Sequence, residues 1–303
     1  MRRIERRTLL RSLTLALALS ACGGSYQSAW DESEDTQQTT QGSETSQNAE
    51  QLIAQGDEAW THRDEEAQVQ AAITAWEQAI AMNANDADTW VKLSRGYYFL
   101  AHGHQRWSNP DAMLETYQRG IRAADRALVA LSPEFAARMR AQEPITEAVS
   151  LLQANAVPAL YWRASNLGRW ARLDGFATVL SYKDEIRAVM TRCMELDRYY
   201  FFAGPDRYFG AFFAIAPSYA GGDLDRSQQH FDESIRRAPA YVGTHVLYAE
   251  NLSVKRQDRA SFVEHLQMAI DADPEALPEA APENRIEQRL ARELLEQADE
   301  LFE

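Results

Sequence analysis

Cysteine is scarce: the 303 residues hold two, Cys22 and Cys193. No Cys-x-x-Cys pair exists, which excludes the redox and zinc sites built on that spacing. The sequence also lacks a phosphate-binding glycine loop, a Rossmann glycine pattern and a His-Glu-x-x-His helix. The nucleotide and zinc-protease chemistries that those motifs serve are excluded with them. After residue 49 there is no run of alternating polar and apolar residues bounded by turns, so strands have no support. Basic charge is short as well: the net charge is −14, and removing residues 1–21 takes away five arginines and one glutamate, giving −18. Nucleic-acid binding rests on phosphate neutralisation, so such a surface excludes it.

What is present begins with "MRRIERRTLLRSLTLALALSAC". It has a basic front, a short apolar run from Leu13 to Leu19 and small residues before Cys22. A spanning helix needs about 20 apolar residues, so this run is too short to span and is an export signal. Leu19-Ser20-Ala21-Cys22 resembles the lipobox of bacterial lipoproteins. That resemblance implies a signal peptide of residues 1–21, cleavage before Cys22, lipidation of its sulfur and amine, and a membrane anchor. Gly23, with no aspartate after it, favours the outer membrane over the inner in the sorting rule for such proteins. Arg6-Arg7-Thr8-Leu9-Leu10-Arg11 resembles a twin-arginine export signal. Residues 23–48 are polar and nearly free of aliphatics, too poor in apolar surface to offset the entropy of ordering. With Cys22 they are expected to form a disordered tether (22–48) spanning roughly 25–30 Å. Cys193 is expected to fill a small buried helix position.

From residue 49 to 303 apolar residues recur at helical spacing. "AITAWEQAIAMNAND" (72–86) and "DTWVKLSRGYYFLA" (88–101) resemble the two helices of a tetratricopeptide repeat. Phe231/Leu266, Ser234/Ala269 and Pro239/Pro274 are each 35 residues apart, near the ~34-residue repeat. The expectation is an all-α, tetratricopeptide-like array of about five helix pairs, with a C-terminal helix near 283–302 whose acid-rich face is suited to capping the end of the stack.

One stretch stands out. In "DRYYFFAGPDRYFGAFFAIAP" (197–217), eight of the fifteen residues from Tyr199 to Phe213 are aromatic. Gly204-Pro205 places a break and then a proline in the first turn of a helix, where its missing N–H costs nothing. The helix is expected to run from about Pro205 to Ala216, with Gly210 marking a close backbone approach. "AGGDLDRS", with Gly221 and Gly222, turns the chain, and Asp223 or Asp225 caps the next helix. Tyr208, Phe209, Phe212 and Phe213 form a stripe wider than one packing neighbour requires. Either the rings are core, or they line a cavity for an amphipathic anion or lipid-like molecule with Arg207 near its head. The plainer role for Arg207 is an ion pair with Asp206 or Asp223.

"YWRASNLGRW", with Trp162, Asn166 and Trp170, together with Tyr200, Gly204, Arg207, Gly210, Gly221, Gly222 and Asp223, resembles the TatT family. Its members are periplasmic tetratricopeptide-like lipoproteins associated with TRAP transporters. The resemblance implies a helical protomer enclosing an apolar channel or pocket, trimer formation and docking of a periplasmic solute-binding protein. The ligand-facing candidates are then Trp162, Asn166, Trp170, Tyr200, Arg207, Tyr208, Phe209, Phe212 and Phe213. A general scaffold lipoprotein for envelope assembly, gripping a peptide, is the rival reading. No cofactor or metal is expected: His102 and His104 diverge on a helix, and "NANDAD" (83–88) lacks the glycine and glutamate of a calcium loop. No nucleophile stands in a recognisable catalytic setting, so an enzyme is not expected.

Overall fold

The computed structural model describes residue 26, residues 28–31 and residues 43–302. The leader and Cys22, with the expected lipidation, lie outside the described residues. Among the described residues the regular structure is helical throughout. The first helices are α1 (Ser43–Thr61), α2 (Glu66–Met82), α3 (Ala87–Leu100), α4 (Met113–Leu131) and α5 (Pro133–Arg140). The cavity-forming helices α6 (Val157–Asp174), α7 (Phe176–Leu196) and α8 (Tyr200–Ile215) come next. The last are α9 (Leu224–Arg237), α10 (Gly243–Leu247), α11 (Arg259–Asp271) and α12 (Ala281–Glu296). Neighbours in sequence pack together: α1 on α2, α3 on α4, α6 on α7, α8 on α9 and α11 on α12, while α4 on α6 and α2 on α3 join successive pairs. No described helix is long and apolar enough to cross a membrane.

Local chemistry sets the helix starts. Asp86 accepts from the Thr89 amide, Asp258 from Ser261, and Asp223 from both Asp225 and Arg226. Each carboxylate thereby satisfies amides that have no partner within the helix. Ser132 does the same for Phe135, with Pro133 in the first turn of α5. Small residues set the crossings. A side-chain carbon on Gly56 would lie 2.4 Å from the indole nitrogen of Trp76, and one on Gly210 would lie 2.7 Å from the ring of Phe231. Buried serines reinforce two crossings by donating to glycine carbonyls, Ser94 to Gly120 and Ser227 to Gly210, both at 2.7 Å. Phe231, Ser234, Leu266 and Ala269, the positions repeated every 35 residues, are all fully buried.

Two expectations about the ends are corrected. The tether is not wholly free, because Tyr26 and Ser28–Asp31 pack on the core. The Tyr26 hydroxyl accepts from Arg163 Nη2 at 2.6 Å and donates to Glu185 at 3.1 Å. The Ala29 amide donates to Asp125 at 3.2 Å, and Trp30 lies edge-on to Phe135. Helix α1 also begins at Ser43, six residues before the expected start at residue 49. Counting aliphatics missed two aromatic side chains, and nothing local in the sequence showed a buried Arg163–Asp125 pair that needs covering.

The acids of the final stretch divide between core and solvent: Glu296, Asp299 and Glu300 are exposed. Glu283 and Glu287 of α12 are buried and turn toward the start of the domain. Glu283 pairs with Arg63 and Arg95, each at 2.8 Å, and Glu287 contacts His102 at 2.9 Å. Ile286 joins the core of α2 and α3, so the last helix touches both ends of the array. Buried carboxylates require partners, and these partners lie some 180 to 220 residues earlier in the chain.

Candidate functional site

Three helix faces enclose a cavity of about 370 Å³, within the usual range of small-molecule sites. From α6 come Tyr161, Ala164, Ser165, Gly168, Arg169 and Arg172, a single face by 3- and 4-residue spacing. Facing them are Phe176, Val179, Leu180, Lys183 and Ile186 of α7, again one stripe. The third wall is the Gly204, Arg207, Tyr208, Ala211, Phe212 and Ile215 face of α8. The space exists because the α6 face is small where its neighbours are large. A side-chain carbon on Gly168 would meet nothing within 4 Å.

Helix α8 enters the site through a strained turn. Phe201, Phe202 and Ala203 have φ of 47°, 57° and 54°, the left-handed region, and regular helix begins only at Gly204. Non-glycine residues there cost about 1–3 kcal/mol each. The carbonyls of all three receive donors: Arg207 Nη2 to Phe201 O at 3.1 Å, Arg207 Nη1 to Phe202 O at 3.0 Å, and Ser234 Oγ to Ala203 O at 3.2 Å. Gly204 keeps an ordinary helical φ; its missing side chain admits the Tyr161 ring, 2.4 Å from where a carbon would stand.

The electrostatics of the lining are one-sided. Arg169, Arg172, Lys183 and Arg207 all border the cavity, and no aspartate or glutamate does, in a chain of net charge −14. At the rim, Arg172 pairs with Glu250 at 3.3 Å and Lys183 with Asp184 at 2.6 Å. Deeper in, half-buried Arg169 lies in the field of Tyr98, Glu250 and Glu287, and Arg207 donates to the Tyr161 hydroxyl at 3.0 Å with its guanidinium 4.3 Å from the Tyr241 ring. Neither has a carboxylate within ion-pair distance among the described residues. Burial pushes the hydroxyls of Tyr161 and Tyr208 above the ordinary tyrosine range, so both remain neutral donors. Among the described residues no three His, Cys, Asp or Glu side chains converge as a metal site.

The family model of the TRAP transporter T-component matches residues 105–302, which includes all of α6, α7 and α8. The chain belongs to that family. No curated protein matches it. A T-component is a transporter component, which is not an enzyme class.

Of the nine ligand-facing candidates, three border the cavity of this T-component: Arg207, Tyr208 and Phe212. The other six are packed elsewhere. Trp162 meets Phe201 edge-on at 4.7 Å, Tyr200 meets Tyr161 at 5.3 Å, and Trp170 packs against Tyr26 and Tyr182. Phe209 and Phe213 flank His230, whose ring also contacts Asp206 at 2.8 Å. Asn166 is fully buried at the crossing of α3, α4 and α6, donating to Ser94 O and Trp162 O. Arg207 pairs with neither Asp206 nor Asp223, since Asp206 is held by Arg198 and His230 and Asp223 by the amides it caps.

The turn residues stand where the sequence put them. Pro205 lies in the first regular turn of α8, Gly221 takes a left-handed φ of 94°, and Asp223 is the cap of α9. A side-chain carbon on Gly222 would lie 1.7 Å from the Ala216 carbonyl. His102 and His104 take separate partners, Glu287 and the Arg63 carbonyl. Cys193 is buried.

The charged lining residues that sequence reasoning missed are Arg169, Arg172 and Lys183. A usable signal stood in "YWRASNLGRWAR": Ala164, Ser165 and Gly168 share a helix face with Arg169 and Arg172. Small side chains beside charged ones on an inward face leave volume and polarity together.

Proposed function

We propose that this T-component is a lipid-anchored accessory protein on the periplasmic face of the envelope, anchored in the outer membrane through Cys22. It serves a TRAP-type uptake system by docking a solute-binding protein, as a tetratricopeptide-like array and as a homotrimer. Its cavity receives an apolar organic molecule bearing a carboxylate. The observation that carries this reading is the buried guanidinium of Arg207, partnered by the Tyr161 hydroxyl and two backbone carbonyls and by no carboxylate, at an apolar cavity whose lining holds no acid. A buried cation without a counter-charge is costly, and a guanidinium fork matches a carboxylate in shape. Arg207 and Arg169 are both coupled to Tyr98, so the head of the ligand lies at that end and its tail runs between Val179, Leu180 and Phe212.

Mild-detergent affinity purification from native membranes, with mass spectrometry of both proteins and small molecules, tests this. A periplasmic solute-binding protein and an apolar carboxylate should co-elute with the T-component. Co-elution of envelope-assembly proteins alone, with no small molecule, would contradict it.

A further inference from the structure

We propose that the mouth of the cavity rests on the phospholipid surface, held there by the segment that follows the anchor. The inference depends on lipidation of Cys22 and is independent of which ligand the cavity takes.

Three observations converge. The first is where the chain is pinned. Tyr26 is half-buried, its hydroxyl between Arg163 and Glu185 and its ring on Trp170 and Tyr182. Trp30 lies under the Arg163 guanidinium at 5.0 Å, and Ala29 is tied to Asp125. Tyr26 and Ser28–Asp31 therefore act as a strap on α4, α6 and α7.

The second is length. Three residues separate Cys22 from Tyr26. Four peptide steps at about 3.3–3.6 Å each reach at most about 14 Å. A lipid on Cys22 thus keeps the Trp170–Tyr182–Glu185 side of the domain within about 14 Å of the bilayer, far closer than a free tether of 27 residues would.

The third is what lies on that side. Trp170 and Tyr182 are the chain neighbours of Arg169 and Lys183, which line the cavity. From Tyr182 back to Phe176 is six residues of helix, about 9 Å. Around the mouth four large apolar side chains face solvent: Leu173 49%, Phe176 60%, Ile215 41% and Tyr219 79% exposed. Phe176 and Ile215 line the cavity, Leu173 follows Arg172, and Tyr219 sits between Pro217 and Ala220, which also line it. Such a grouped apolar rim marks an interaction site on a protein surface. Aromatic and basic side chains together suit the lipid interface, where rings settle among head groups and long cationic chains reach the phosphates. Arg172 and Lys183 stand at the rim, each already paired, with Glu250 and Asp184, so the apolar side chains carry the contact with lipid. An apolar ligand would then pass between lipid and cavity without crossing water.

The test uses full-length lipidated protein in phosphatidylcholine–phosphatidylglycerol vesicles that contain spin-labelled lipid. A bimane label is attached to one of three variants, Leu173→Cys, Tyr219→Cys or Met268→Cys; the buried Cys193 does not compete for the label. Met268 is exposed on α11, which packs against α10 and α12 and not against the cavity helices. Labels at 173 and 219 should be quenched several-fold more than the label at 268. Equal quenching at all three positions, stronger quenching at 268, or protection of 173 and 219 only by a protein partner would overturn the proposal. So would mass spectrometry showing no acyl groups on Cys22. In the Tyr26→Ala/Trp30→Ala background, quenching at 173 and 219 should fall to the level at 268; unchanged quenching would remove the strap from the proposal.

Discussion

Replacing Gly168 with leucine is expected to weaken ligand binding at least tenfold while leaving the fold as stable as before or more so. Gly168 sits inside α6 with open space beyond its α-carbon, and the only thing a side chain would displace there is cavity volume. Interior helix glycine is about 1 kcal/mol less favourable than alanine, so the substitution gains up to that amount from backbone entropy. Binding of a fluorescent apolar carboxylate, followed by its emission, should weaken at least tenfold, equivalent to about 1.4 kcal/mol. Two results would count against the cavity. Unchanged affinity would place the ligand elsewhere, and a large loss of stability would mean that the space is filled in solution. The contrast with Gly204 is a useful control. There a side chain meets the Tyr161 ring at 2.4 Å, so Gly204→Leu should damage folding and binding together.

Asp125→Ala should cost about 3–5 kcal/mol of stability, because it leaves the fully buried Arg163 without its only fully buried carboxylate partner among the described residues. In a domain of this size, that corresponds to a fall in Tm on the order of 10 °C. Arg163 would keep Glu185 at 2.6 Å, a carboxylate that is partly exposed and holds the outer edge of the guanidinium. The same change removes the acceptor for the Ala29 amide, so the strap should become sensitive to protease at concentrations that leave wild type intact. The double variant Asp125→Leu/Arg163→Met should recover much of the loss, because a buried ion pair replaced by apolar side chains is often neutral. A single variant as stable as wild type would mean that Arg163 finds other compensation and that the strap is not tied through this pair.

Much of the backbone plan was legible because it is written locally. Asp223 caps its helix, Pro205 opens one, Gly221 makes the turn, and Gly210 marks a close approach, each from signals within a few residues. Which ring faces the cavity was not written that way. Periodicity shows that Phe209 and Phe213 share an apolar stripe with Phe212, but not that His230 of α9 would cover the first two and leave the third beside empty space. Trp170 was drawn into the core by Tyr26, a partner 144 residues earlier in a stretch whose composition reads as tether. The partners of Glu283 and Glu287 in α12 were hidden for the same reason: Arg63, Arg95 and His102 meet them only once distant helices come together. The left-handed turn at Phe201–Ala203 had no signal at all, since aromatic residues rarely take that conformation and it is held by Arg207 and Ser234 from other turns of the fold.

The most direct measurement compares one apolar carboxylate with its methyl ester by titration calorimetry, in wild-type protein and in Arg169→Met. The acid should bind wild type about 10- to 100-fold more tightly than the ester, the range a charge-assisted hydrogen bond supplies. That preference should shrink several-fold when Arg169 is replaced, while the affinity for the ester stays within about twofold. Equal binding of acid and ester by wild type, or a preference untouched by the loss of Arg169, would contradict a cation-floored cavity that recognises the ligand by its charge.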